Sequence, residues 1–240
     1  MSAPRSSYFT TASYISGSLF EFRHQITQHF NLEKNNKSLQ EENIALRKSS
    51  SVFLYNKLRT EAHVEDSIYA QQYDYIPGTI LNATTTKRNN FFTLNIGEIH
   101  GVKKGMGVFS SNGVVGIIHN TSKHFSVIKS VLTSNINIDV LISEVGVSGM
   151  LKWDGVNDNI GSISGVSNDI TVPKGSTVVT RGGSGIFPRG IPVGRIKHTK
   201  TVEGEASWHI DLSFSQKYAA LENVYVVKNL FLEEFTQIQN

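Results

Sequence analysis

Of the 20 glycines in this chain of 240 residues, Gly17 alone precedes Pro77, and no proline lies between Pro4 and Pro77. Glycine permits the turned and left-handed backbone that other residues avoid, and proline interrupts helices. Their joint scarcity before Pro77 leaves the first third of the chain free to be helical, while the remainder is rich in the residue needed for tight turns and bulges. The sequence therefore reads as two compositionally distinct parts that meet near Tyr75-Ile76-Pro77-Gly78.

In the glycine-poor part, Ile15, Leu19, Phe22 and Ile26 fall at helical spacing on one face. Leu32, Leu39, Leu46 and Phe53 then recur every seven residues. Taking them as heptad position d puts His29, Asn36, Asn43 and Ser50 at position a. A seam with leucine at d and asparagine at a gives up stability for register and a low oligomer number, typically a parallel dimer. The competing assignment is a single amphipathic helix docked on its own domain. Leu54, Leu58, Ala62 and Ile68 continue the helical pattern in a shifted frame, and a rod from Phe20 to Gln72 would be roughly 80 Å long. Over residues 1–74 eight basic side chains balance eight acidic ones, so the net charge of +3 belongs to the glycine-rich part and no basic membrane-binding helix is indicated. No run of about 18 apolar residues occurs, so neither a transmembrane helix nor a signal-peptide core is present in the sequence.

From Pro77 onward, short β-branched runs end in glycine, asparagine or lysine-glycine turns. The segments starting at Gly105, Gly113, Phe125, Ile136, Val147, Ser176, Val193, Trp208 and Val224 read as strands, several with period-2 alternation. Strands at this close spacing, with almost no helical pattern, predict small antiparallel barrels or sandwiches. Val102-Lys-Lys-Gly-Met-Gly-Val is echoed by Val172-Pro-Lys-Gly-Ser-Thr-Val, and each copy is followed by Val-Gly-Ile or Val-Gly-Arg-Ile. The echo points to two similar barrels in tandem. The expected fold is mostly β, with a long N-terminal coiled-coil helix over 20–72 and barrels over 75–142 and 143–230. The last strand is open to a return to the first barrel, residues 1–19 are a linker and residues 231–240 a tail.

Most site chemistry is excluded by the residues available. Without cysteine there is no disulfide framework, thiolate nucleophile or cysteine metal site, and the compartment stays open. A charge of +3 is too small for attraction to nucleic acid to dominate. Two barrels and Gly182-Gly-Ser-Gly invite a serine hydrolase acting through Ser184 on peptide or peptidoglycan. A triad, however, needs a base on the serine and an acid on the base. His119 and His124 have only Asp139 near them along the chain, so the glycine turn is the preferred reading. The two histidines are five apart, which matches no common zinc spacing, and no metal or cofactor is expected. Gly105-Met-Gly is not followed by a helix, which rejects a dinucleotide fingerprint. Asp154 and Asp158 sit in an asparagine-rich stretch that reads as a solvated turn, with a weak calcium site as the alternative.

The stretch Asn89-Asn-Phe-Phe-Thr-Leu-Asn-Ile-Gly, its continuation through Asn112-Gly-Val-Val-Gly-Ile-Ile, and above all Gly175-Ser-Thr-Val-Val-Thr-Arg-Gly-Gly-Ser-Gly-Ile-Phe-Pro-Arg-Gly-Ile-Pro-Val-Gly-Arg-Ile resemble the bacterial rod-shape-determining MreC family. Gln40-Glu-Glu-Asn-Ile-Ala-Leu resembles that family's coiled coil. Arg181 and Ser176 depart from the residues usual at their places, serine and aspartate. The family's single N-terminal transmembrane helix is missing from the sequence. The resemblance implies a non-enzymatic, membrane-anchored homodimer on the periplasmic side of the cytoplasmic membrane, without cofactors. It would scaffold cell-wall elongation by binding the penicillin-binding transpeptidase and other membrane components of the shape-determining complex. On this reading Leu32, Asn36, Leu39, Asn43, Leu46 and Phe53 form the dimer seam. Arg181, Phe187 and Arg189, beside a rigid glycine-proline turn, have the composition of a partner-binding anchor. Phe187 alternatively plugs the end of its own barrel. A periplasmic efflux adaptor would need a second helical segment returning after the first, whereas the sequence offers a single helical segment.

Overall fold

The computed structural model describes residues 37–47, 54–56, 69–201, 204 and 206–239. Two units are separated near Arg47. In the first, residues 37–47 form helix α1, with Leu39 and Leu46 exposed.

The second unit is almost entirely β. Strands β1 (Leu54–Asn56) and β2 (Tyr69–Gln71) pair antiparallel as a separate two-stranded ribbon. This overturns the expectation of an unbroken helix from 20 to 72, at least from Leu54 onward. The seven-residue spacing of leucine and phenylalanine ends at Phe53, just after Ser49-Ser50-Ser51, and serine is a weak helix-interior residue that competes for backbone hydrogen bonds.

The first barrel is built from β3 (Tyr73–Ala83), β4 (Asn89–Leu94), β5 (Gly107–Phe109), β6 (Val114–Thr121), β7 (Ser126–Thr133) and the last strand of the chain, β14 (Asn223–Asn229). The second is continuous: β8 (Ile138–Ile142), β9 (Val147–Lys152), β10 (Ile160–Ser167), β11 (Thr177–Thr180), β12 (Pro192–Thr201) and β13 (Ser207–Phe214). Both close on themselves with six antiparallel strands, which leaves neither barrel an open edge. A short helix α2 (Leu232–Gln239) follows. The boundary between barrels falls between β7 and β8, not after residue 142, because β8 pairs with β9 and β11 of the second barrel.

Going round each barrel, β11-β12-β13-β10-β9-β8 matches β5-β6-β7-β4-β3-β14. The two barrels therefore share one arrangement, and β14 takes in the first the place that β8 takes in the second. The second barrel is inserted ahead of the first barrel's last strand. The sequence echo has its counterpart in backbone hydrogen bonds: Gly105 N–H donates to the Ile118 carbonyl and Gly175 N–H to that of Ile196, each at 2.9 Å. Gly116 and Gly194 occupy matching places where a Cβ would come within 2.2 Å of the carbonyl oxygen of Lys129 or Ser213, so only glycine lets the paired strands approach.

Alternating apolar residues fill each barrel. Phe92, Phe109, Ile118 and Ile128 are fully buried in the first, and Ile142, Leu151, Ile163 and Leu212 in the second. The Phe109 ring packs edge-on to Tyr75 and tilted on Tyr225, with centroids 5.4 Å apart in both cases.

Candidate functional site

The glycine-proline segment is the loop from β11 to β12, and it is closed on itself by one side chain. The Thr180 hydroxyl donates to the Pro188 carbonyl at 2.6 Å and accepts from Ile191 N–H at 3.0 Å, while Thr180 N–H donates to the Ile191 carbonyl at 2.9 Å. Gly190 N–H donates back to the Thr180 carbonyl at 3.0 Å. A loop held in this way presents fixed side chains at low entropic cost.

Phe187, at 3% exposure, is what this loop presents, and it presents it to the first barrel. A Cβ on Gly107 of β5 would lie 2.6 Å from both the Phe187 ring and the Ile186 carbonyl oxygen. Phe187 is therefore an interface anchor, but the interface lies within the chain, between the two barrels. Polar groups also pair along this seam. The Ser110 hydroxyl donates to Oε1 of buried Gln216, whose Nε2 donates to the Lys217 carbonyl at 2.8 Å. Asn229 Nδ2 donates to the Gly185 carbonyl at 3.0 Å. The Tyr218 hydroxyl donates to the Val114 carbonyl at 3.1 Å, and burial pushes its pKa far above the ordinary tyrosine value. Each such bond contributes a net ~0.5–1.5 kcal/mol, but a broken one leaves a buried polar group unsatisfied. The seam fixes how the barrels sit on one another. Sequence reading missed Ser110, Gln216 and Tyr218, because nothing in a polar side chain's own neighbours along the chain announces that its partner lies about a hundred residues away.

Arg181 and Arg189 remain on the surface. The Arg181 side chain, 53% exposed, pairs with Asp139 Oδ2 of β8 at 3.4 Å, a contact of about 1 kcal/mol at most. Ser184 is exposed, and its Oγ accepts from Ile186 N–H at 3.4 Å. Of the groups a triad would need, Asp139 is engaged by Arg181, His119 lies on β6 of the other barrel against Phe91 at 5.6 Å between ring centroids, and His124 sits in the turn after β6. Ser184 is thus a turn residue. Asp154 and Asp158 are likewise held locally: Asp154 Oδ1 accepts from Val156 N–H at 2.9 Å, and Asp158 Oδ1 from Asn159 Nδ2 at 2.7 Å. Among the described residues no group of three or more metal-ligating side chains converges, and no helix is long and apolar enough to cross a membrane.

Of the expected seam residues, Leu39 and Leu46 are 54% and 63% exposed on α1. Asn43 Nδ2 donates to the Leu39 carbonyl at 2.9 Å along the same helix. Leu32, Asn36 and Phe53 lie outside the described residues.

Comparison with known proteins agrees with this architecture. A family model described as the barrel core of the rod shape-determining protein MreC matches residues 80–228. The cell shape-determining protein MreC of Listeria monocytogenes is 24% identical over 147 residues, covering 60% of this chain and 49% of that protein. Its counterpart in Haemophilus influenzae is 26% identical over 209 residues, covering 82% of this chain and 57% of that protein. The chain thus spans about half the length of these curated relatives. Among solved structures, MreC of L. monocytogenes superposes with a TM-score of 0.62 at 20% identity, covering 90% of this chain and 94% of that one. A complex between penicillin-binding protein PBP2 and MreC from Helicobacter pylori matches at TM-score 0.53 and 17% identity, covering 66% of this chain and 99% of that one. At these identities the structural likeness establishes the two-barrel fold.

Proposed function

Because the chain belongs to the MreC family, we propose that it is a non-enzymatic scaffold of bacterial cell-wall elongation, maintaining rod shape by binding the elongation transpeptidase through its barrels. The observation that carries this reading is how the family's glycine-proline motif is used. Its loop is closed by Thr180, its aromatic side chain is buried against Gly107 and its serine makes only a backbone contact, so the motif serves rigidity and not bond cleavage. A rigid pair of barrels is a platform whose outer surfaces hold a fixed spacing, which is what a scaffold requires. The complex of PBP2 with the H. pylori relative supports a penicillin-binding protein as the partner. Arg181 and Arg189, exposed at the motif's surface, are proposed contacts for that partner, whereas Phe187 acts by holding the platform together.

Homodimerisation through Leu32, Asn36, Leu39, Asn43, Leu46 and Phe53 belongs to the same proposal. It is supported by the exposure of Leu39 and Leu46, since large apolar side chains on one helical face are stabilised by a second copy. Anchoring of the full-length protein by an N-terminal transmembrane helix, with the barrels on the periplasmic side of the inner membrane beside other membrane components of the complex, completes it. The alternative of a two-barrel serine hydrolase finds no support in the surroundings of Ser184.

The test is capture from detergent-extracted cell envelopes of the source bacterium, with the 240-residue chain as bait and mass spectrometry as readout. Specific enrichment of the elongation transpeptidase is expected. Its absence while other envelope proteins are captured would overturn the reading.

A further inference from the structure

A pocket of about 270 Å³ opens on the outside of the first barrel where the chain leaves it for the second. Its walls come from four segments: the turn before β5 with Lys104 and Gly105, the end of β6 with Ile117 and His119, Lys129 of β7, and the connector residues 135–137. Three cationic or protonatable side chains line it, and none of the lining residues is acidic. Among the described residues, Lys104, His119 and Lys129 have no carboxylate partner.

The lining combines apolar and cationic side chains. Ile117 and the nearly fully buried Ile136 supply apolar wall. Lys129 and His119 are placed by their neighbours. Lys129 stands between Phe91 of β4 and Ile117 of β6 in the cross-strand register, and its Nζ donates to the Asn135 carbonyl at 2.8 Å, which brings the ammonium to the connector. An ammonium has three donors, so two stay available. The His119 ring rests against Phe91. Asn135 and Asn137 of the connector complete the lining.

A bare inorganic anion would satisfy the cations and leave the isoleucine wall uncovered. An apolar group would cover the wall and leave the cations without a partner. A carboxylate on a short aliphatic stem meets both demands, because its CH₂ groups lie on Ile117 and Ile136 while its oxygens accept charge-assisted hydrogen bonds. We propose that this pocket binds the side chain of a glutamate presented by a partner protein, making the connector between the barrels a docking point for an acidic segment. That the segment belongs to a protein of the elongation complex rests on the scaffold reading above; the pocket's preference for a stemmed carboxylate rests on its lining alone.

The test is an NMR titration of the ¹⁵N-labelled full chain with N-acetyl-glutamate amide, N-acetyl-glutamine amide and inorganic phosphate in parallel. The glutamate compound should move the backbone amides of Gly105, His119 and Asn137 saturably. The glutamine compound, of the same shape without the charge, should bind about tenfold more weakly. Lys104→Gln should weaken the glutamate compound several-fold while leaving the rest of the spectrum in place, and Lys104→Arg should restore it. Phosphate moving the same amides as strongly as the glutamate compound would overturn the stemmed-carboxylate assignment in favour of an unselective anion site. Equal binding of the glutamine compound would overturn the ionic part. No shift at tens of millimolar would remove the site altogether, while leaving capture of the transpeptidase as an independent result.

Discussion

Replacing Phe187 by alanine should lower the stability of the whole two-barrel unit. The ring is 3% exposed and lies against Gly107, whose place on the buried strand β5 leaves no side chain there to fill a gap. The loop that carries the ring is pinned at both ends by Thr180, so it cannot collapse into the space left behind. Both the lost transfer energy and most of the cavity cost should therefore be felt, about 3–5 kcal/mol for a phenylalanine truncated to alanine. In a chain of this size each kcal/mol lowers the melting temperature by about 2–4 °C, so the midpoint should fall by roughly 6–20 °C. Differential scanning calorimetry on the full chain measures this, with Arg189→Ala as a surface control expected to change stability by less than about 0.5 kcal/mol. Phe187→Leu, which keeps part of the apolar volume, should fall between the two. A Phe187→Ala protein that melts within about a degree of the parent yet binds the transpeptidase more weakly would refute the internal packing and return Phe187 to the partner surface.

Leu39→Asp would put a charge into the proposed helical seam and should make the chain sediment as a monomer with its β-rich circular dichroism intact; a persisting dimer would move dimerisation to the barrels. Ser184→Ala removes only the acceptor for Ile186 N–H, a bond of about 1 kcal/mol, and should support cell shape as well as the parent at equal protein level; loss of complementation would revive the nucleophile. Tyr218→Phe deprives the Val114 carbonyl of its donor across the seam and should cost about 1–3 kcal/mol in urea unfolding. Burial raises the folded-state pKa of Tyr218 above the ordinary value of 10.0, so the unfolded chain loses this proton first as pH rises. The stability it contributes is full below that value and declines as pH climbs through it toward the raised one. Alkaline unfolding should therefore begin at higher pH in Tyr218→Phe, measured relative to its own neutral-pH stability, and an identical alkaline profile would place the hydroxyl in solvent.

The strands that alternation announces are those with branched or aromatic side chains on the buried face. Val178 and Thr180 of β11 and Ile210 and Leu212 of β13 are buried as the two-residue period requires, whereas β14 is a continuous buried run from Val224 to Val227. Strand β3 is hidden by Ile76-Pro77-Gly78, which reads as a break. Proline is accommodated there because residues 73–78 of β3 pair on one side only, with β14, and the β4 side is engaged only from Thr79, whose carbonyl accepts from Asn95 N–H, and Ile80 onward. Strand β10, Ile160-Gly-Ser-Ile-Ser-Gly-Val-Ser, is masked by small residues and a register shift between Ile163 and Val166. The return of the last strand to the first barrel is among the sequence expectations and is what β14 does, but the place where the second barrel begins is hidden for a different reason. Alternation marks a strand and its buried face, but not which strand lies beside it, so β8 reads as the end of the first barrel when it opens the second. The same limit applies at the seam: the glycine-proline motif is conspicuous in the sequence, whereas its counterpart Gly107 is found only when the fold brings β5 to it.

The central claim, a rigid two-barrel scaffold for the elongation transpeptidase, is tested most directly by measuring binding of the purified full chain to the purified extracytoplasmic region of that transpeptidase by biolayer interferometry. The scaffold account predicts saturable binding that is unchanged in Ser184→Ala and weakened when Arg181 and Arg189 are reversed to glutamate together. No binding at tens of micromolar, with both proteins folded by circular dichroism, would contradict it.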